Sequence, residues 1–128
     1  MRSLLVLFVL VFSSQVLASS WNDLEIGETY TLNQEIVLVS NSPSESSFHI
    51  PAGTKLNHSD LIPLDMISVM LYLFKLPKCP GNDFETQMEI IPVQGTSPLV
   101  EIGAQVASNC QLEIYIETKD IYSSSIVK

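Results

Sequence analysis

Five glutamates stand at even spacings in the second half of the chain: Glu85 and Glu89, then Glu101, then Glu113 and Glu117. Successive side chains of a strand point to opposite faces, so carboxylates at even spacing share one side of an extended chain. Such a face can dock a cationic ligand, and Asn82, Asp83 and Glu85 together offer the oxygen donors that calcium takes. The plainer reading is a solvated sheet face that keeps an acidic protein soluble. His49 and His58, with Asp60 and Asp65 nearby, are of types that bind zinc, but their spacing matches no zinc motif. His49 lies between Phe48 and Ile50, which point inward, so its ring is expected in solvent. We therefore expect two ordinary histidines, no metal site and no cofactor. Lys78 sits in a Pro-flanked loop beside Cys79, where a braced lysine could fill the specificity pocket of a serine protease; a solvated loop lysine is the simpler account. No G-x-S-x-G, no Ser-x-x-Lys set with its partner motifs and no phosphate-cradling glycine loop is present, so no enzyme is expected. Paired carboxylates of a small hydrolase are the catalytic alternative, because their separation is invisible in sequence.

The elements that must carry these residues alternate with period two. Tyr30, Leu32, Ile36 and Leu38 share a face in Thr29–Val39, which reads as one strand or a pair. Phe48 and Ile50 open another strand, Pro51 to Thr54 turns, and Leu56 lies on the return. Leu61 to Asp65 contains Pro63 and is expected to bend. Ile67 to Leu76 is apolar on both faces, the pattern of a strand covered on both sides, with a buried helix as the alternative. Val100, Ile102, Ala104 and Val106 share one face, as do Cys110, Leu112, Ile114 and Ile116.

A hairpin between these last two runs must match apolar faces. A loop of Ala107, Ser108 and Asn109 does so, with Asn109 left-handed and Val106 opposite Cys110, Ala104 opposite Leu112 and Ile102 opposite Ile114. If Phe84–Val93 pairs likewise, the outer face reads in rows. One is Glu89, Gly103 and Glu113, another Gln87, Gln105 and Gln111, and a third Ile91, Glu101 and Tyr115. Glu89, Glu101, Glu113 and Tyr115 are the candidate binding residues, since aromatics anchor interfaces. The C-terminal residues Ile121, Tyr122 and Ile126 suggest a tail that docks on the body.

The first 18 residues read as a secretory leader: one positive charge, an apolar run from Leu4 to Phe12, and Val16-Leu17-Ala18 before the cut. The run is shorter than the roughly 20 apolar residues of a membrane span, so an uncleaved anchor is the lesser alternative. Ser19–Lys128 is then a single exported domain, with no membrane span after cleavage. The leader holds the only Arg, leaving five Lys against fourteen acids, a balance of −9. That sign excludes nucleic acid, which requires a cationic footprint, and disfavours anionic membranes. In an oxidising compartment Cys79 and Cys110, the only cysteines, are expected to form one disulfide, with two free thiols or an intermolecular bridge as alternatives. Closing that loop is worth about 3.5 kcal/mol on a chain-entropy estimate. Asn57-His58-Ser59 is an N-x-S acceptor if the host glycosylates.

The architecture expected is all-β: a small antiparallel barrel or sandwich of about six strands. Within it, Gly27 to Leu56, and chiefly Phe48-His49-Ile50-Pro51-Ala52-Gly53-Thr54-Lys55-Leu56, resembles the strand, Pro-x-Gly-Thr turn and strand of bacterial secreted SH3-like domains. The resemblance implies an SH3-like barrel and no active site. The function expected is recognition by a secreted or periplasmic protein of a protein or cell-envelope ligand, with cationic chemistry favoured, through the Glu/Gln/Tyr face. The oligomeric state is not encoded in these patterns.

Overall fold

Period-two alternation builds strands throughout. The computed structural model describes residues 20–40, 46–79, 86–107 and 109–128. The segment expected to be a leader, together with Asn82, Asp83, Phe84, Glu85 and Ser108, lies outside those residues. Among the described residues there are eight strands: β1 Thr29–Thr31, β2 Ile36–Val39, β3 Ser47–Ile50, β4 Lys55–Leu64, β5 Val69–Lys75, β6 Glu89–Val93, β7 Val100–Ala107 and β8 Gln111–Glu117. Six of them form one antiparallel sheet in the order β1-β4-β5-β8-β7-β6, curled into a half-barrel, and β2-β3 is a separate hairpin. No helix among the described residues is long and apolar enough to cross a membrane.

The concave side holds the core. Leu56 of β4, Phe74 of β5, Leu112 and Ile114 of β8 and Ala104 of β7 are fully buried there, with Ile36 and Leu38 of β2 closing over them. The last residues dock as well. Thr31 and Lys128 exchange backbone hydrogen bonds of 3.1 and 2.7 Å, and Ile126 and Val127 are buried, while Tyr122 is exposed. The C-terminus thereby covers the free edge of β1. Cys79 and Cys110 are joined by a disulfide that pins the loop after β5 to the β7–β8 turn, with Cα atoms 5.1 Å apart.

Four local expectations are corrected. Leu61 to Asp65 does not bend at Pro63: β4 runs through to Leu64, with an irregularity between His58 and Asp60. Its outer half has no neighbour on one side, because β1 pairs only with residues 55 to 57, so a missing N–H breaks no ladder bond there. Apolar residues do not run buried from Ile67 onward either. Met66 and Ile67 stand exposed in a short turn, and burial on both faces begins at Leu71.

The β7–β8 register is shifted by two from the one expected. Val106 faces Leu112, Ala104 faces Ile114 and Gly103 faces Tyr115, and the left-handed turn residue is Cys110 (φ 69°) rather than Asn109. A shift of two leaves every side chain on its expected face, so alternation alone does not distinguish the registers. The observed one sets Gln105 directly against Glu113, and Cys110 closes the turn on Ala107 with a 3.1 Å backbone bond.

The fourth correction concerns β6, which has the opposite phase. Glu89 faces buried Ala104 and Ile91 faces buried Ile102, on the concave side, whereas Ile90 pairs with Gly103 and points out. The cause lies just upstream. Thr86 is buried and bonded to Val106, and the next amide, of Gln87, turns to the Val39 carbonyl of β2 at 2.8 Å. Thr86 bonds to Val106 while Glu89 faces Ala104, so three residue steps of one strand span two of the other, and the extra residue reverses the phase that would have carried Glu89 outward.

Candidate functional site

The convex face of the sheet carries the residues singled out for recognition. Cross-strand register sets Ile62, Leu71, Tyr115, Gly103 and Ile90 in one continuous row over β4, β5, β8, β7 and β6. At about 4.8 Å per strand this row is roughly 19 Å long. It is apolar throughout except for the tyrosine hydroxyl. A polar row lies to one side, Asp60 and Leu73 leading to Glu113 and Gln105. Glu101 and Glu117 lie to the other, beside Val69.

Gly103 makes the floor. A Cβ there would lie 2.9 Å from the Met88 sulfur and 3.7 Å from the Tyr115 Cβ. Its absence lets Met88 lie across the sheet and leaves an open groove of about 540 Å³, with Met88, Ile90, Tyr115, Val69, Glu101 and Glu117 around it. Ile90 remains 60% exposed, which is unusual for an isoleucine on a folded sheet.

Tyr115 is oriented by its neighbours. Gln105 donates from its side-chain amide to the Glu113 carboxylate at 2.6 Å and to the Tyr115 hydroxyl at 3.2 Å, and the hydroxyl donates to the same Glu113 oxygen at 3.4 Å. Burial, and next the Glu113 charge, push the Tyr115 phenol above its ordinary 10.0, so it stays a neutral donor. Glu117 has Lys119 at 3.3 Å, an exposed pair worth little in water.

Of the four residues named from sequence, the fold thus brings Glu101, Glu113 and Tyr115 to one face and sends Glu89 to the other. Ile91 and Glu101 do not share a row. The hydrophobic half of the groove, Met88 and Ile90 over Gly103, stands on the face where uninterrupted alternation puts Glu89, and it could not be found without the change of phase in β6.

The other candidates are placed apart. His49 is exposed on β3, with its ring 3.1 Å from the Ser47 hydroxyl and 3.8 Å from the Glu35 carboxylate. His58 is fully buried among aromatic rings, so the two histidines do not meet. No cluster of three or more His, Cys, Asp or Glu that could hold a metal occurs among the described residues. Asn57 is exposed on β4. Lys78 is exposed at the edge of a second concavity of about 520 Å³, walled by Phe48, Ile50, Pro51, Leu76 and Pro77. Comparison of the chain with protein-family models, with curated proteins and with solved structures finds no match.

Proposed function

We propose that this protein is an exported, non-catalytic binding module whose convex sheet face docks a basic, apolar-studded extended segment of a partner protein. The observation that carries the reading is the apolar row from Ile62 to Ile90, flanked by Asp60 and Glu113 on one side and by Glu101 and Glu117 on the other. An apolar stripe between two acidic lines fits a strand-like segment whose hydrophobic side chains lie over Gly103 and Met88 while its lysines and arginines reach the carboxylates. The balance of −9 steers such a segment inward and discriminates against acidic ones. Exposed Met66 and Ile67 at the end of the β4–β5 hairpin extend the apolar surface beyond Ile62. The Gly53 turn between β3 and β4 supports kinship with SH3-like barrels, which the six-strand sheet would enlarge. Function on such scaffolds rests on the site and not on the fold.

The test uses three synthetic dodecapeptides: alternating Arg and Val, alternating Glu and Val, and oligolysine. Amide shifts of Gly103, Tyr115 and Ile90 should move saturably with the first peptide only. Gly103→Leu fills the floor and displaces the flexible end of Met88, and it should weaken binding at least tenfold. Equal binding of oligolysine would reduce the face to a charge effect, and undiminished binding by Gly103→Leu would place the site elsewhere.

A further inference from the structure

The concave side holds a group that recognition on the convex face does not use. His58 of β4 is fully buried, and among the described residues neither ring nitrogen has a hydrogen-bond partner in good geometry, the Glu25 and Asp60 backbones being its nearest polar company. Its ring stacks on Tyr72 (5.7 Å between centroids, 29° between planes), packs at 5.1 Å on Phe74, and meets the edge of Tyr30 at 6.4 Å. Trp21 closes the same aromatic cluster, 4.9 Å from Tyr72, and its indole N–H is likewise buried without a partner among the described residues. Buried polar atoms are nearly always paired, so three unpaired ones in one cluster mark a stored cost.

The segment around this cluster is held by few bonds. The His58 carbonyl accepts from Gly27 N–H at 2.7 Å, and the His58 N–H donates to the Glu28 carbonyl at 2.9 Å. The Tyr72 hydroxyl donates to the Trp21 carbonyl at 3.0 Å, and the Asn22 N–H reaches the Ile121 carbonyl at 3.3 Å. Residues 20 to 28 therefore form a strap fastened across the site by His58, Tyr72, Ile121 and the Tyr30 hydroxyl, with Trp21 and Leu24 buried beneath it. We propose that this strap is an acid-released latch: His58 seats it while the ring is neutral, and protonation expels the ring and frees the strap from the sheet.

The groups facing the ring supply little to hold a charge. Asp60 on its own strand supplies the carboxylate charge that acts on the ring, Tyr30 and Tyr72 present rings, and Glu25 and Asp60 approach it through their backbone. Burial pulls the imidazole below its ordinary 6.5, and the opposing influences of the Glu25 and Asp60 backbones and the Asp60 charge are smaller. Tyr72, pushed up to about 12 chiefly by burial and next by Tyr122, is neutral throughout. The released state binds the proton and the seated one does not. The ratio of released to seated strap is thus constant above pH 6.5 and grows by up to about tenfold per pH unit below it, until the seated ring itself protonates.

Two features make the test direct. Trp21 is the only tryptophan, and exposed His49 is the only other histidine, an internal control. Between pH 7.5 and 4.5 the Trp21 emission should shift reversibly to the red, and the Gly27 amide should lose at least tenfold of its exchange protection. The Ala104 and Leu112 amides in the sheet, which open with the whole fold, should stay at least tenfold better protected than Gly27 at every pH. His49→Ala should behave as wild type, and His58→Phe should show no shift over that range. Should the Phe variant not fold, exchange at Gly27 against Ala104 in the wild type decides. Equal protection of Gly27 and Ala104 at every pH, or no loss at Gly27, overturns the latch, as does a His58→Phe protein with an unchanged Trp21 transition.

Discussion

The two faces of β5 and β8 use aromatic side chains to opposite ends. On the concave side Tyr72, Phe74, Trp21 and His58 are sealed from water, and three of their nitrogen atoms lack a hydrogen-bond partner in good geometry among the described residues. On the convex side Tyr115 is half-buried and its hydroxyl is tied to Gln105 and Glu113 beside an open, glycine-floored groove. One face is well packed and poorly satisfied in hydrogen bonds, and the other is well satisfied and incompletely covered. Packing dominates stability, so the first face should govern folding. Uncovered apolar surface beside oriented polar groups is what recognition needs, so the second should govern binding.

The sharpest way to break this contrast is truncation. Phe74→Ala on the concave side should lower the unfolding free energy by about 3–5 kcal/mol in urea titration, whereas Tyr115→Ala should cost less than about 1.5 kcal/mol. Similar losses would mean that the convex face is a second core. Cys79→Ser removes the clamp on both strands and should lower stability by about 3.5 kcal/mol with the peptide-binding face otherwise intact.

Next comes pH. Because folding depresses the His58 pKa, the unfolded chain takes up the proton first. Stability should therefore be flat above pH 6.5 and fall by up to about 1.4 kcal/mol per unit below it, a slope that His58→Phe should abolish in chemical denaturation.

Binding changes are comparable in size but confined to the other face. Tyr115→Ala should weaken the Arg/Val peptide about tenfold, or about 1.4 kcal/mol, in fluorescence anisotropy while His58→Phe leaves it unchanged at neutral pH. The smallest effect expected is Ile90→Thr: thermal stability unchanged within about 0.5 kcal/mol, because the side chain is mostly in water. A larger loss would show that Ile90 packs more tightly than its exposure indicates.

Local rules sufficed for much of the molecule. Alternation identified the strands and the inward faces of β2, β3, β7 and β8, and two cysteines in an even pair led to the disulfide. Gly103 and Tyr115 could be assigned to the outer face for the same reason: side-chain direction in a strand is a property of neighbouring residues. What alternation does not carry is the offset between strands. A slip of two residues preserves every face, so Tyr115 opposite Gly103 and Gln105 opposite Glu113 were settled by the Cys110 turn. The inversion at β6, which removed Glu89 from the site and supplied Ile90 and Met88, came from one extra residue between Thr86, bonded to Val106, and Glu89, opposite Ala104, both partners far away in the chain. Trp21, His58 and Tyr72 likewise meet only through the curled sheet; in the linear chain they are scattered. Faces follow from the geometry of a single peptide chain, while registers, phase changes and enclosed clusters follow from which distant groups satisfy one another's hydrogen bonds and exclude water together.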